Sequence, residues 1–118
     1  MEKSLFEKYG GFAKVSKIVL SLYDRVLEDD DLGPFFDNVD MTRIVDHQTK
    51  FISSLLGGPA AYSDEQIRRM HKHLAISQNH FERLKEILAA TLADHGMEAE
   101  DVYSVVHAFE QRRNYVVG

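Results

Sequence analysis

Apolar residues in this chain recur at intervals of three and four almost from end to end, and no segment alternates apolar with polar. Such spacing places side chains on one face of a helix, whereas a half-buried strand needs a period of two. The pattern predicts an all-α fold. Ser4 is a cap for a short helix to Tyr9, with Glu7 at the capping-box offset, and Gly10-Gly11 ends it. Val15, Val19, Leu22, Tyr23 and Val26 then form one stripe. The acidic "LEDDDL" reads as a solvated turn, and "LGPFFDNVD" as a loop or short turn limited by Pro34. Asp40 caps a helix from Met41 to Leu56, stopped by "GGP". Ser63 or Asp64 starts a short helix to about His73. Another runs from Ser77 or Gln78 to Asp94, and a last one from Ala99 towards Asn114, burying Val102, Val105, Val106 and Phe109.

Length and composition narrow the classes of function. The 118 residues make a single domain over 1–118, with one modest core. A net charge of −5 with interspersed signs argues against nucleic acid or an anionic membrane as partner. Without cysteine there are no disulfides, thiolate nucleophiles or Cys-type metal sites. The start "MEKSLFEKYGG" lacks the apolar core of a signal peptide, and no run is long enough for a membrane span. A cytoplasmic protein is expected.

The helix "MTRIVDHQTKFISSLLGG" breaks its own pattern. With Ile44 as reference, Phe51 lies about 20° to one side, Leu55 about 20° to the other, and Gln48 at about 40°. An amide thus falls inside the apolar stripe, and His47 stands on its shoulder. A buried amide without partners costs roughly 1–3 kcal/mol. Tyr23 likewise carries a hydroxyl into the middle of its stripe. Each has an ordinary explanation: buried tyrosines commonly reach a carbonyl or water, and histidines at a stripe's edge are usually solvated. Together they suggest a polar cluster in an apolar cavity, as small-ligand sites are built.

The chain has six histidines, three of them in "RRMHKHLAISQNHF". On one helix His71 and His73 would point about 200° apart, so at most one can face a given site. No two histidines have helical zinc-site spacing, and "LEDDDL" lacks the calcium-loop offsets. A serine elbow and a phosphate-cradling glycine loop are also missing. A flat metal cofactor remains reasonable, with one histidine from 71–80 on one side and Tyr23, His47 and Gln48 on the other.

The pieces "LFEKYGG", "LYDRVLEDDDLGPFFDNVDM", "HQTKFISSLLGGPAAY", "MHKHLAIS" and "HFERLKEILAATL", in this order, resemble the truncated haemoglobins, most closely group I. The resemblance spans nearly the whole chain and implies a two-over-two helical sandwich. It implies a non-covalent haem b whose iron is bonded by His71. The implied haem pocket comprises Phe35, Phe36, Arg43, Ile44, His47, Lys50, Phe51, Tyr62, Met70, His71, Leu74, Ile76, Phe81 and Val106. Tyr23 matches the distal tyrosine that donates to bound oxygen, and Gln48 the glutamine supporting it. Phe36 matches the phenylalanine packed on the haem face, and Phe51 a residue tied to a ligand tunnel. His47 falls where some members place a sixth iron ligand. Ile44 stands where ordinary globins carry the distal histidine, so that arrangement is closed to this chain. Arg43, Lys50 and Arg69 are candidates for the propionates. The tail "EQRRNYVVG" has no histidine for the covalent haem link of certain cyanobacterial relatives, and the glycine many members carry before the proximal histidine is absent.

The implied function is binding of oxygen, nitric oxide and carbon monoxide, for transport or storage, with nitric oxide dioxygenation served by an unidentified reductase. The protein is expected as a monomer or weak dimer. A second reading puts His47 and His71 both on iron, in a redox carrier or gas sensor. A third is a haem-free helical interaction module with satisfied core polars.

Overall fold

The computed structural model describes residues 4–58, 63–71 and 76–117, with the side chains of Asp64, Met70 and His71 outside that description. A short α1 (Leu5–Lys8) leads into α2 (Gly11–Glu28), and a 3-10 turn over Gly33–Phe36 precedes α3 (Met41–Leu55). The chain continues through α4 (Asp64–His71), α5 (Gln78–Asp94), α6 (Ala99–Glu110) and α7 (Arg113–Val116). No strand occurs among the described residues. The all-α expectation holds.

Helix starts follow local chemistry. The Ser4 hydroxyl accepts from the Glu7 amide at 3.2 Å, and Asp40 accepts from the Thr42 and Arg43 amides. The Ser63 hydroxyl accepts from the Gln66 amide at 3.2 Å, while the Gln66 side chain accepts from the Ser63 amide at 2.8 Å. Each contact satisfies an amide that the first helical turn leaves unpaired.

Two helix pairs carry the fold. α2 lies against α3, α5 against α6, and the pairs meet where α2 packs on α5 and α3 on α6. This is the expected two-over-two sandwich. Val15, Ile18, Val19, Leu22, Tyr23 and Val26 form the buried face of α2. Opposite them stand Phe51, Ile52 and Leu55 of α3, and Phe81, Leu88 and Leu92 of α5. The buried polar side chains are satisfied locally: the Ser53 hydroxyl donates to the Thr49 carbonyl and Thr91 to the Ile87 carbonyl. No helix among the described residues is long and apolar enough to cross a membrane.

The structure departs from the sequence reading in two places. The last helix does not run unbroken to Asn114, because Gln111 and Arg112 form a turn before α7. Arg112 donates to the Ala108 carbonyl at 2.9 Å, capping α6. Beyond it Arg113 is drawn to Glu110, Glu82 and Gln78, so α7 folds back onto α4, where Arg68 lies 5.1 Å from the Tyr115 ring. The acidic turn is likewise not wholly solvated. Asp30 and Asp31 are exposed, but Asp29 accepts from the Asp31 and Leu32 amides and from Arg83 at 2.7 Å, closing the turn against α5.

Candidate functional site

Between the two helix pairs lies a cavity of about 880 Å³ of atom-free space, its open mouth included. α2 supplies Tyr23 and Val26, and the following turn gives Leu32, Phe35 and Phe36. α3 supplies Ile44, His47, Gln48 and Phe51. The far wall is Ile76, His80, Leu84, Phe109 and Val116. The wall is apolar except at Tyr23, Gln48, His47 and His80, a composition typical of sites that hold a hydrophobic ligand by a few polar anchors.

The α3 wheel explains the near wall. Ile44, Gln48 and Phe51 share one side within about 60°, with His47 on its shoulder, so one helix face brings four different chemistries to one space. Tyr23 is 7% exposed, and Phe36 meets it edge to face with ring centroids 5.4 Å apart. Burial alone pushes the Tyr23 phenol well above its ordinary range, so it stays protonated and can only donate or accept as a neutral hydroxyl. Across the cavity Phe51 meets Phe109 at 6.4 Å, and Phe109 stacks on Phe81 at 4.6 Å with planes 8° apart.

Most of the expected site residues whose side chains are described converge here: Tyr23, Phe35, Phe36, Ile44, His47, Gln48, Phe51 and Ile76 all line this cavity. Four others, expected in the pocket, do not. Arg43 and Lys50 lie about 100–120° from Ile44 on the α3 wheel and emerge exposed, with Lys50 paired to Asp46 at 3.1 Å. Phe81 sits one layer back, behind Phe109. Val106 is half-buried, off the line that carries Val105 and Phe109 inward. Arg69, the third propionate candidate, is paired with Glu65 at 2.9 Å.

Tyr62, His73 and Leu74 lie outside the described residues, as do the side chains of Met70 and His71. The backbone of His71 ends α4. No group of three or more His, Cys, Asp or Glu side chains that could hold a metal ion occurs among the described residues.

The sequence reading left six lining residues out of the site: Val26, Leu32, His80, Leu84, Phe109 and Val116. Val26 and Phe109 were recognisable as buried from their stripes. His80 belongs to the 71–80 segment from which one histidine is expected beside a flat cofactor, and its orientation comes from the first turn of α5. Its Nδ1 accepts from the Ser77 amide at 3.1 Å while the Ser77 hydroxyl accepts from the His80 amide at 3.1 Å. Phe35 meets its ring edge-on at 4.9 Å.

Residues 4–117 match the family described as bacterial-like globin. A group 1 truncated haemoglobin from Tetrahymena thermophila is 32% identical over 117 residues, covering 99% of this chain and 97% of that protein. One from Synechocystis is 37% identical over 109 residues, covering 89% and 87% respectively. The crystal structure of a Synechococcus 2/2 haemoglobin, in the cyanomet state with covalently attached haem, superposes with a TM-score of 0.89 at 31% identity, over 98% of each chain.

Proposed function

The chain belongs to the bacterial-like globin family, among the group 1 truncated haemoglobins, and from that membership we propose that it holds a non-covalent haem b and reversibly binds oxygen, nitric oxide and carbon monoxide. Haem-based binding of diatomic ligands is the general property of the family. The observation that carries the reading for this chain is the Tyr23 phenol: buried, on the wall of an apolar cavity, and held neutral by burial alone.

The residues present fit a haem. Phe35, Phe36, Ile44, Phe51 and Ile76 offer apolar and aromatic surface to a flat macrocycle, and the polar groups are few. His71 is the residue proposed to bond the iron. A neutral imidazole suits that role, and a partner on its second nitrogen would fix the tautomer. When bound, the haem supplies a ferrous iron that takes a diatomic ligand. Tyr23 would donate a hydrogen bond to that ligand, and the Gln48 amide would support it from α3. In a water-poor pocket such a bond to a partly charged acceptor contributes roughly 1.5–3 kcal/mol, about one to two decades in affinity. Oxygen gains more from it than the less polar carbon monoxide. With a reductase to restore the iron, the same pocket would support nitric oxide dioxygenation.

A second reading has a specific observation behind it: His47 lines the same cavity beside Gln48. As a sixth iron ligand it would compete with oxygen and lower apparent affinity by the open fraction, giving a redox carrier or sensor. Absorption spectra test both readings. A Soret band in the reconstituted protein, lost in His71→Ala, is expected, and its absence or indifference to that substitution ends the proposal. A five-coordinate, high-spin ferrous spectrum without ligand, unchanged in His47→Ala, rules out the second reading.

A further inference from the structure

Haem b carries two carboxylates, and an ionised carboxylate taken from water needs a donor or a counter-charge. Among the lining residues described there is neither lysine nor arginine. The basic residues that the sequence suggested stand elsewhere: Arg43 is exposed off the wall, Lys50 is paired with Asp46, and Arg69 with Glu65. Of the described residues on the wall, only His47 and His80 can take a positive charge, and His47 stands beside Gln48 on the α3 face.

The environment of His80 determines where its proton sits. A backbone amide can only donate, so the Ser77 amide at 3.1 Å requires a lone pair on Nδ1. The neutral ring therefore carries its proton on Nε2. The reciprocal bond from the His80 amide to the Ser77 hydroxyl and the edge-on contact with Phe35 hold the ring in place. No described residue accepts from Nε2. The side chain is half-buried, at the boundary of wall and solvent, where a carboxylate would rest with part of its hydration intact.

We infer that His80 is a haem-binding residue that donates its Nε2–H to a carboxylate of the cofactor at the cavity mouth, an inference that rests on the haem reading above. The capping box is then more than a helix start, because it presents the tautomer that can donate.

The test compares wild type, His80→Glu and His80→Gln, each loaded with haem b or with its dimethyl ester, by the rate of haem transfer to an apoglobin scavenger. Glutamate and glutamine are the usual residues at this capping-box position, so the helix start survives, which circular dichroism of the apoproteins verifies. With haem b, His80→Glu should release cofactor about tenfold faster or more, and His80→Gln should fall between, since its amide can still donate. With the ester, all three should agree within about twofold. Equal release of haem b from all three proteins overturns the inference. So does an acceleration that persists with the ester, which would mean a purely structural role. A wild type that takes up neither haem ends the haem reading and this inference together.

Discussion

Tyr23 and Phe36 meet edge to face across the mouth of α2 and the 3-10 turn, with centroids 5.4 Å apart and planes at 83°. The contact fixes the ring of Tyr23 but does not engage its hydroxyl, which has no hydrogen-bond partner among the described residues. An ordinary core tyrosine loses about 1 kcal/mol on conversion to phenylalanine, because its hydroxyl is satisfied. Here Tyr23→Phe should leave the apoprotein within about 0.5 kcal/mol of wild type in urea denaturation. In the haem-loaded protein the same change should speed oxygen release about 10- to 100-fold in stopped-flow displacement. Loss of stability with unchanged oxygen release would place Tyr23 in the structural class.

Phe109 is both core and wall. It faces Phe51 across the cavity and stacks on Phe81, and it is 4% exposed. Truncation removes the stack and opens the cavity towards α5. Phe109→Ala should cost about 3–4 kcal/mol in the apoprotein, and Phe109→Leu less, by denaturant midpoint at a common slope. A cost below about 1 kcal/mol would mean that the wall collapses freely behind it.

What the sequence made legible was local. The caps at Ser4, Asp40 and Ser77 act within three residues, so their residue types are enough to find them. Gln48 and Tyr23 stood out because a polar group on an apolar stripe is visible on a helical wheel. The break before α7 was not legible, since Arg113 leaves the helix line for Glu82 and Gln78, more than thirty residues away in sequence. Asp29 was misread for a similar reason, its partner Arg83 lying on α5. The place of His80 depends on how the start of α5 meets Phe35, a relationship no periodicity contains. Family resemblance supplied the roles of the residues, and packing supplied the wall.

Two glycines should fail for different reasons when given a methyl group. At Gly58 an added Cβ would lie 2.7 Å from the Phe6 ring and 2.9 Å from the Ser53 carbonyl, although the backbone there is ordinary. Phe6 cannot withdraw easily, because its own amide donates to the Leu56 carbonyl at 3.0 Å and its ring packs on Phe12. At Gly10 the obstacle is φ of 101°, with the nearest contact, Lys14 Cβ, at 3.2 Å. Gly10→Ala should cost about 1–2 kcal/mol through backbone strain. Gly58→Ala should cost about 1–3 kcal/mol through overpacking, and a second change, Phe6→Ala, should relieve that increment. A double mutant showing purely additive losses would contradict the assigned clash.

Glu110 is pulled down from its ordinary 4.5 to about 2, first by Arg113, which donates to it through Nε and Nη2 at 2.6 Å each, and second by Lys85 at 2.9 Å. The same two cations lower Glu82, Arg83 lowers Asp29, and Lys8 lowers Asp101. A carboxyl whose pKa is lower folded than unfolded stabilises fully above the unfolded value, and that contribution is lost as pH falls through the folded one. Acid should therefore weaken the protein progressively from about pH 4.5 down to about pH 2. Glu110→Gln keeps the size of the side chain and cannot titrate, so its stability should fall less steeply over that interval. Its deficit at neutral pH should be about 1 kcal/mol at most, because the cluster is partly open to solvent and screened. Thermal melts of the two apoproteins across the interval measure the difference, and curves that stay parallel down to the lowest pH would remove Glu110 from the acid response.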